Sequence, residues 1–141
     1  MTTIENGAVK LHCEGETRPL WGSISHSRDF ICATVSKIGS IGIDVEKTTV
    51  PRDMSVLLQA VTGLCEADLP ARQVDQYRLW TLFEAYCKAT TGSLEFPIPA
   101  ALIALCQRRS DEPALLTIQD QTAIFRSRRL NDYLVSTCQM V

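Results

Sequence analysis

The 141-residue chain lacks the features that mark several large classes of protein. Its net charge is −2, with 14 Lys and Arg against 16 Asp and Glu, so no basic excess points to nucleic acid as a partner. Its longest apolar run lies around Pro97 to Cys106 and is too short to span a bilayer. The N-terminus carries no apolar signal core. We therefore expect a cytoplasmic protein that is not embedded in a membrane.

The cysteines and histidines do not form a metal-binding or disulfide pattern. The six cysteines include no C-x-x-C pair, and the two histidines, His12 and His26, lie near no useful cysteine pair. Zinc needs clustered ligands, so it is not expected. Several of the cysteines lie inside apolar runs, where a free thiol behaves as a small hydrophobic group. This pattern predicts free thiols in a reducing compartment.

The length predicts one domain over residues 1–141, with residues 1–22 as an irregular N-terminal segment. β-branched and aromatic residues, apolar periodicity and turn residues predict an α+β fold, in which an antiparallel sheet packs on one long helix. A hairpin is expected from 30 to 46, and residues 100–106 are compatible with either helix or strand. The predicted strands are 23–26, 30–37, 41–46, 114–118, 122–126 and 133–138, and the predicted helices are 54–61 and 72–91.

Residues 41–46 alternate strictly between apolar residues and other types. Asp44 and Glu46 are therefore expected on one face of a strand, because successive side chains point to opposite faces. Gly42 shares that face and leaves room for something close to the backbone. The alternative is an ordinary solvated strand face.

Glu84 and Lys88 lie four residues apart on the longer predicted helix. They share a helix face with Trp80, beside the apolar stripe that contains Phe83. This position at the rim of the core is where a cleft can form. The alternative is a surface Glu–Lys pair, which contributes only a few tenths of a kcal/mol.

Hydroxyls and an imidazole at 25–27, Ser-His-Ser, follow a short predicted strand and are able to hold phosphate oxygens, although a lone histidine such as His26 is more often structural. The carboxylates of Asp44, Glu46 and Glu84 are hard oxygen ligands of the kind Mg²⁺ prefers together with phosphate oxygens. Lys88 adds positive charge for phosphates. Together these groups suit phosphoryl-type transfer, provided that the fold brings them together.

Three blocks of this sequence resemble the signature blocks of the 4′-phosphopantetheinyl transferases. They are S-I-S-H-S at 23–27, G-I-D-V-E at 42–46 and W-T-L-F-E-A-Y-C-K-A-T-T-G at 80–92. The histidine block precedes the G-I-D block, so the order is similar to that of the larger, surfactin-type enzymes, with a shortened N-terminal part. The resemblance runs from about Arg18 to the C-terminus.

The resemblance implies a transferase that moves 4′-phosphopantetheine from coenzyme A to a serine of an acyl or peptidyl carrier protein. Such a reaction depends on Mg²⁺ and releases 3′,5′-ADP. By the same resemblance Asp44, Glu46 and Glu84 are metal ligands, and Glu84, with Glu46, is the base for the carrier serine. Lys88 matches a lysine that contacts coenzyme A phosphates. Ser25, His26 and Arg18 match other residues that contact coenzyme A, Arg18 as part of a basic-Pro pair.

The sequence departs from the family pattern in two ways. Phe83 stands where the family usually has Lys, and most of the first of the two similar halves of surfactin-type enzymes has no counterpart. A homo-oligomer is expected to supply the wall that faces the site. The alternative is a non-catalytic module that binds coenzyme A or a carrier protein through a degenerate site.

Overall fold

The computed structural model describes residues 2–5, 8–94, 97–108 and 110–141, with no side-chain description for 2–5 and 8. Within these residues the chain forms eight strands, three α-helices and one short 3₁₀ turn at Glu66–Asp68. The strands are β1 (Thr2–Glu5), β2 (Ala8–Leu11), β3 (Leu20–Ser27), β4 (Phe30–Ser36), β5 (Ile41–Lys47), β6 (Ala114–Ile118), β7 (Gln121–Leu130) and β8 (Tyr133–Met140). The helices are α1 (Met54–Thr62), α2 (Gln73–Thr90) and α3 (Ala100–Gln107).

The strands form two four-stranded antiparallel sheets, one in the order β1-β2-β3-β4 and the other in the order β5-β8-β7-β6. The α+β class with antiparallel sheets is therefore confirmed. The expected arrangement of one sheet on one long helix was too simple, because a second sheet and two shorter helices are present. Helix α2, with 18 residues, is the longest helix of the described chain.

The predicted hairpin from 30 to 46 is wrong. The hairpin joins β3 to β4 instead, with His26 opposite Ile31, and β5 pairs with β8 in the other sheet. The backbone N–H of Met140 donates to the Ser40 carbonyl at 2.9 Å, so the Gly39-Ser40 segment leads from the first sheet into the second. The pairing of β5 is therefore decided by a strand that lies far away in the sequence.

The expectation of an irregular segment over residues 1–22 is also wrong, since β1 and β2 lie within it and β3 begins at Leu20. The helix predictions are confirmed. Helix α1 begins after Asp53, whose carboxylate accepts from the Val56 N–H at 3.1 Å, and it ends at Gly63 with φ 71°. Residues 100–106 are helical, and the three C-terminal strands lie where the sequence predicts them.

Helix α2 packs across one face of the second sheet, against β5 and β8, and places Leu79, Leu82 and Phe83 in the core. The approach to β5 is close, because a Cβ atom added to Gly42 would lie only 2.8 Å from the Ala89 nitrogen. The room at Gly42 is thus occupied by the backbone of α2. No helix among the described residues is long and apolar enough to cross a membrane.

Candidate active site

Asp44 lies on the face of β5 that meets α2, and its side chain is almost completely buried, with a relative exposure of 3% for the residue. Its Oδ1 atom accepts hydrogen bonds from Lys88 Nζ at 2.7 Å and from Ser25 Oγ at 2.8 Å. The alternative of a solvated strand face is therefore wrong at Asp44. Burial of a carboxylate is costly unless the charge is paired and hydrogen-bonded, and Lys88 and Ser25 supply this compensation.

Lys88, on α2, forms hydrogen bonds to both β3 and β5. Its Nζ atom also donates to the Ile43 carbonyl of β5 at 3.1 Å and lies 3.2 Å from Ser25 Oγ of β3. Glu84, one helical turn earlier on α2, places Oε2 3.7 Å from the same ammonium group. The alternative of a simple surface Glu–Lys pair is wrong, because the strongest partner of Lys88 is the buried Asp44.

Glu46 lies at the more open end of the same face of β5. One carboxylate oxygen accepts from Ser27 Oγ at 3.3 Å, and the other lies 3.5 Å from an Arg52 guanidinium nitrogen. The side chain of Glu46 is 20% exposed and that of Arg52 is 43% exposed. A half-exposed ion pair of this kind contributes little to stability.

The three carboxylates crowd one another. Burial, and next the neighbouring Asp44 carboxylate, raise the pKa of Glu84 to about 7, against the opposing effect of Lys88. Burial also raises the pKa of Glu46, with Asp44 contributing and Arg52 opposing. The Oδ2 atom of Asp44 is buried and has no hydrogen-bond partner among the described residues. When all three acids are ionised, the cluster therefore carries more negative charge than Lys88 and Arg52 neutralise.

This donor set fits a magnesium ion chemically. Among the described residues no group of three or more His, Cys, Asp or Glu side chains is already arranged around a point that would hold a metal ion. Mg²⁺, however, is usually held by one or two carboxylates together with substrate phosphates and water. The unpartnered Asp44 Oδ2, with Glu84 and Glu46 beside it, supplies such carboxylates.

The remaining predicted site residues do not all join this cluster. Ser25 does, through its bonds to Asp44 and Lys88. His26 is exposed on the opposite face of β3, as the alternation of the strand requires. Arg18 is exposed in the segment before β3, and no hydrogen bond or ion pair of the described residues joins it to the acids. Phe83 is fully buried, so its packing role is confirmed.

Arg52 was not singled out from the sequence, and Ser27 was predicted only as one of the hydroxyls able to hold phosphate oxygens. Its contact with Glu46 has a signal in the sequence, because Ser27 has the same parity along β3 as Ser25. Arg52 lies in the segment between β5 and α1, and its contact with Glu46 depends on the path of that segment. No local pattern in the sequence marks Arg52.

The comparisons agree with the family resemblance. The family model for the 4′-phosphopantetheinyl transferase superfamily matches residues 40–138. The 4′-phosphopantetheinyl transferase AcpT of Salmonella typhi is 34% identical over 102 residues, which cover 63% of this chain and 53% of that protein. The AcpT protein of Escherichia coli strain K12 is 37% identical over 81 residues, covering 53% and 42% respectively. The chain thus spans about half the length of the curated relatives it matches.

Proposed function

Since the chain belongs to the 4′-phosphopantetheinyl transferase superfamily, we propose that it transfers 4′-phosphopantetheine from coenzyme A to a serine of an acyl or peptidyl carrier protein. The reaction would depend on Mg²⁺ and release 3′,5′-ADP. The observation that carries the proposal is the meeting of Asp44, Glu84 and Lys88 between β5 and α2, with one buried Asp44 oxygen left without a partner.

The proposed ligands of the metal are Asp44, Glu46 and Glu84. When bound, Mg²⁺ would neutralise charge on the pyrophosphate of coenzyme A. Lys88 would contact the same phosphates, because its ammonium group lies at the cluster and its side chain is 30% exposed. The relatives named above are called 4′-phosphopantetheinyl transferases, which supports this class of substrate.

In the proposed reaction the serine oxygen of the carrier bonds to the phosphorus that bears the pantetheine arm. The bond from that phosphorus to the bridging oxygen breaks, and 3′,5′-ADP leaves with the electron pair. Glu84 accepts the serine proton, with Glu46 beside it. A general base is most effective when its pKa lies near the working pH, and the pKa of Glu84 is about 7. Ser25, His26 and Arg18 remain predicted contacts of coenzyme A.

The proposal is tested by incubating the protein with a fluorescent coenzyme A analogue, Mg²⁺ and a panel of apo acyl and peptidyl carrier proteins. We expect one or more carriers to become labelled, and 3′,5′-ADP to be released in equal amount. EDTA should stop labelling. A folded sample that labels no carrier in the panel would contradict the proposal.

Glu84→Gln is the matched variant, since it keeps the shape of the side chain but removes the carboxylate that is proposed to bind the metal and to accept the proton. We expect transfer to fall by about 100-fold or more, because a general base typically contributes about 10²- to 10⁴-fold to the rate. Circular dichroism should show an unchanged fold. Undiminished transfer by this variant would remove Glu84 from the role of base.

A second candidate function is a non-catalytic module that binds coenzyme A or a carrier protein. Phe83 favours it, because a fully buried aromatic ring stands where the family usually has a lysine near the metal. Calorimetry distinguishes the two functions. Binding of coenzyme A without turnover would support the module, and absence of binding would contradict both.

We also propose a homo-oligomer whose neighbouring subunit faces the site, and a cytoplasmic location without nucleic-acid partners or membrane insertion. All six cysteines are free in the structure, as in proteins of reducing compartments. Sedimentation of the purified protein tests the oligomer directly. A strict monomer that transfers phosphopantetheine would contradict that part of the proposal.

A further inference from the structure

Strand β5 is the outermost strand of its sheet, with β8 on one side only. Its other edge is met by side chains of β3 from the first sheet. Ser23 Oγ accepts from the Ile43 N–H at 3.1 Å, and Ser27 Oγ accepts from the Lys47 N–H at 3.2 Å. Hydroxyl groups therefore bond the N–H groups that a neighbouring strand would otherwise bond.

The hydroxyls at alternate positions of β3, those of Ser23, Ser25 and Ser27, lie on the same face of the strand but bond different groups. Ser25 Oγ donates to Asp44 Oδ1 at 2.8 Å, and Ser27 Oγ donates to Glu46 Oε2 at 3.3 Å. Ser23 bonds the β5 backbone and, among the described contacts, no carboxylate. The same strand thus carries two serines that reach candidate metal ligands and one that does not.

The direction of the Ser27 bond follows from its surroundings. Since Ser27 Oγ already accepts the Lys47 N–H, its own proton is available to the Glu46 carboxylate. A hydroxyl fixed in this way favours one orientation of the Glu46 carboxylate before any ligand binds. Groups that hydrogen-bond to metal ligands typically change metal affinity by 10- to 100-fold when they are removed.

We infer that Ser25 and Ser27 are positioning residues, which hold Asp44 and Glu46 in the orientation that binds a divalent cation. This inference rests on the proposed function, and it gives Ser25 a task in addition to the predicted contact with coenzyme A. It also assigns a task to Ser27. The residues act through the carboxylates and need not touch the substrate.

The test compares Ser27→Ala with Ser23→Ala, which removes a hydroxyl from the same face of the same strand. Mn²⁺ is used as the probe, and its free concentration is followed by electron paramagnetic resonance in the presence of coenzyme A. Thermal unfolding in EDTA is measured in parallel. We expect Ser27→Ala to weaken Mn²⁺ binding by about 10-fold, while Ser23→Ala lowers the unfolding temperature and leaves Mn²⁺ binding unchanged.

A matched pair at the same position separates orientation from packing. Thr and Val have the same shape, so Ser27→Thr should retain Mn²⁺ affinity and Ser27→Val should lose it. Equal affinities for this pair, or equal losses in Ser23→Ala and Ser27→Ala, would overturn the inference and leave the proposed function standing. A wild-type protein that binds no Mn²⁺ with coenzyme A present would overturn the metal site and the inference together.

Discussion

Glu84 should make the metal-free protein less stable as the pH rises. Its pKa in the folded state is about 7, against 4.5 for an ordinary glutamate, mainly because it is buried and next because Asp44 lies beside it. The folded state then holds the proton more tightly than the unfolded state. Linkage requires the stability to fall as the pH rises from about 4.5 to about 7.

The raised pKa of Glu84 also gives the size of the expected loss of stability. A rise from 4.5 to about 7 corresponds to on the order of 3 kcal/mol. The Glu84 side chain is 22% exposed, and solvent and salt reduce such interactions. We therefore expect the free energy of unfolding to fall by about 2 kcal/mol, which corresponds to about 1 M in the urea midpoint for a chain of this size.

The assay is urea unfolding in EDTA at pH 5 and pH 8, for the wild type and Glu84→Gln. The variant should match the wild type at pH 5 and be more stable at pH 8, since an amide has no charge to desolvate. The unfolding free energy of Glu84→Gln should still decrease slightly as the pH rises, because the pKa of Glu46 is also raised. Glu112→Gln, at an exposed position, is the control and should follow the wild type. Parallel pH profiles for the wild type and Glu84→Gln would refute this reasoning.

Three further outcomes are expected. In the same urea assay, Gly42→Ala should lower the unfolding free energy by about 3 kcal/mol, because the added Cβ atom would clash with the backbone of α2. Gly22→Ala is the control, and it should be tolerated because the added Cβ atom meets a flexible side chain. Lys88→Met should cost about 3 kcal/mol or more in EDTA, since it leaves Asp44 buried without its cation; an unchanged urea midpoint would contradict this. Thiol labelling of the native protein should modify the two exposed cysteines quickly and spare the three buried ones until denaturant is added.

The sequence is sufficient to predict features of the site that depend on local periodicity. Asp44 and Glu46 share a face because a strand has a period of two, and Glu84 and Lys88 share a face because a helix returns after four residues. The capping residue Asp53 and Gly63 mark the two ends of α1 in the same way, and Gly92 marks the end of α2. These features depend only on the residues of one strand or one helix.

The convergence of these groups depends on contacts that no local pattern encodes. The nearness of 30–37 and 41–46 in sequence favoured a hairpin, yet β5 takes its partner from the C-terminal strand β8. Gly42 was interpreted as room beside the backbone, and the group that occupies this room is α2. Side-chain hydrogen bonds from β3, not a backbone ladder, then join the two sheets at β5.

The charges of the cluster connect metal binding to the proposed base. Three carboxylates, Asp44, Glu46 and Glu84, face two cations, Lys88 and Arg52. Without a further cation the cluster reaches neutrality when one acid keeps a proton, and the raised pKa identifies Glu84 as the acid that does so near neutral pH. A divalent ion would favour the ionised form of the same residue. The group proposed to accept the carrier proton would therefore be ionised more fully when the metal is bound, so that metal binding would also prepare the base.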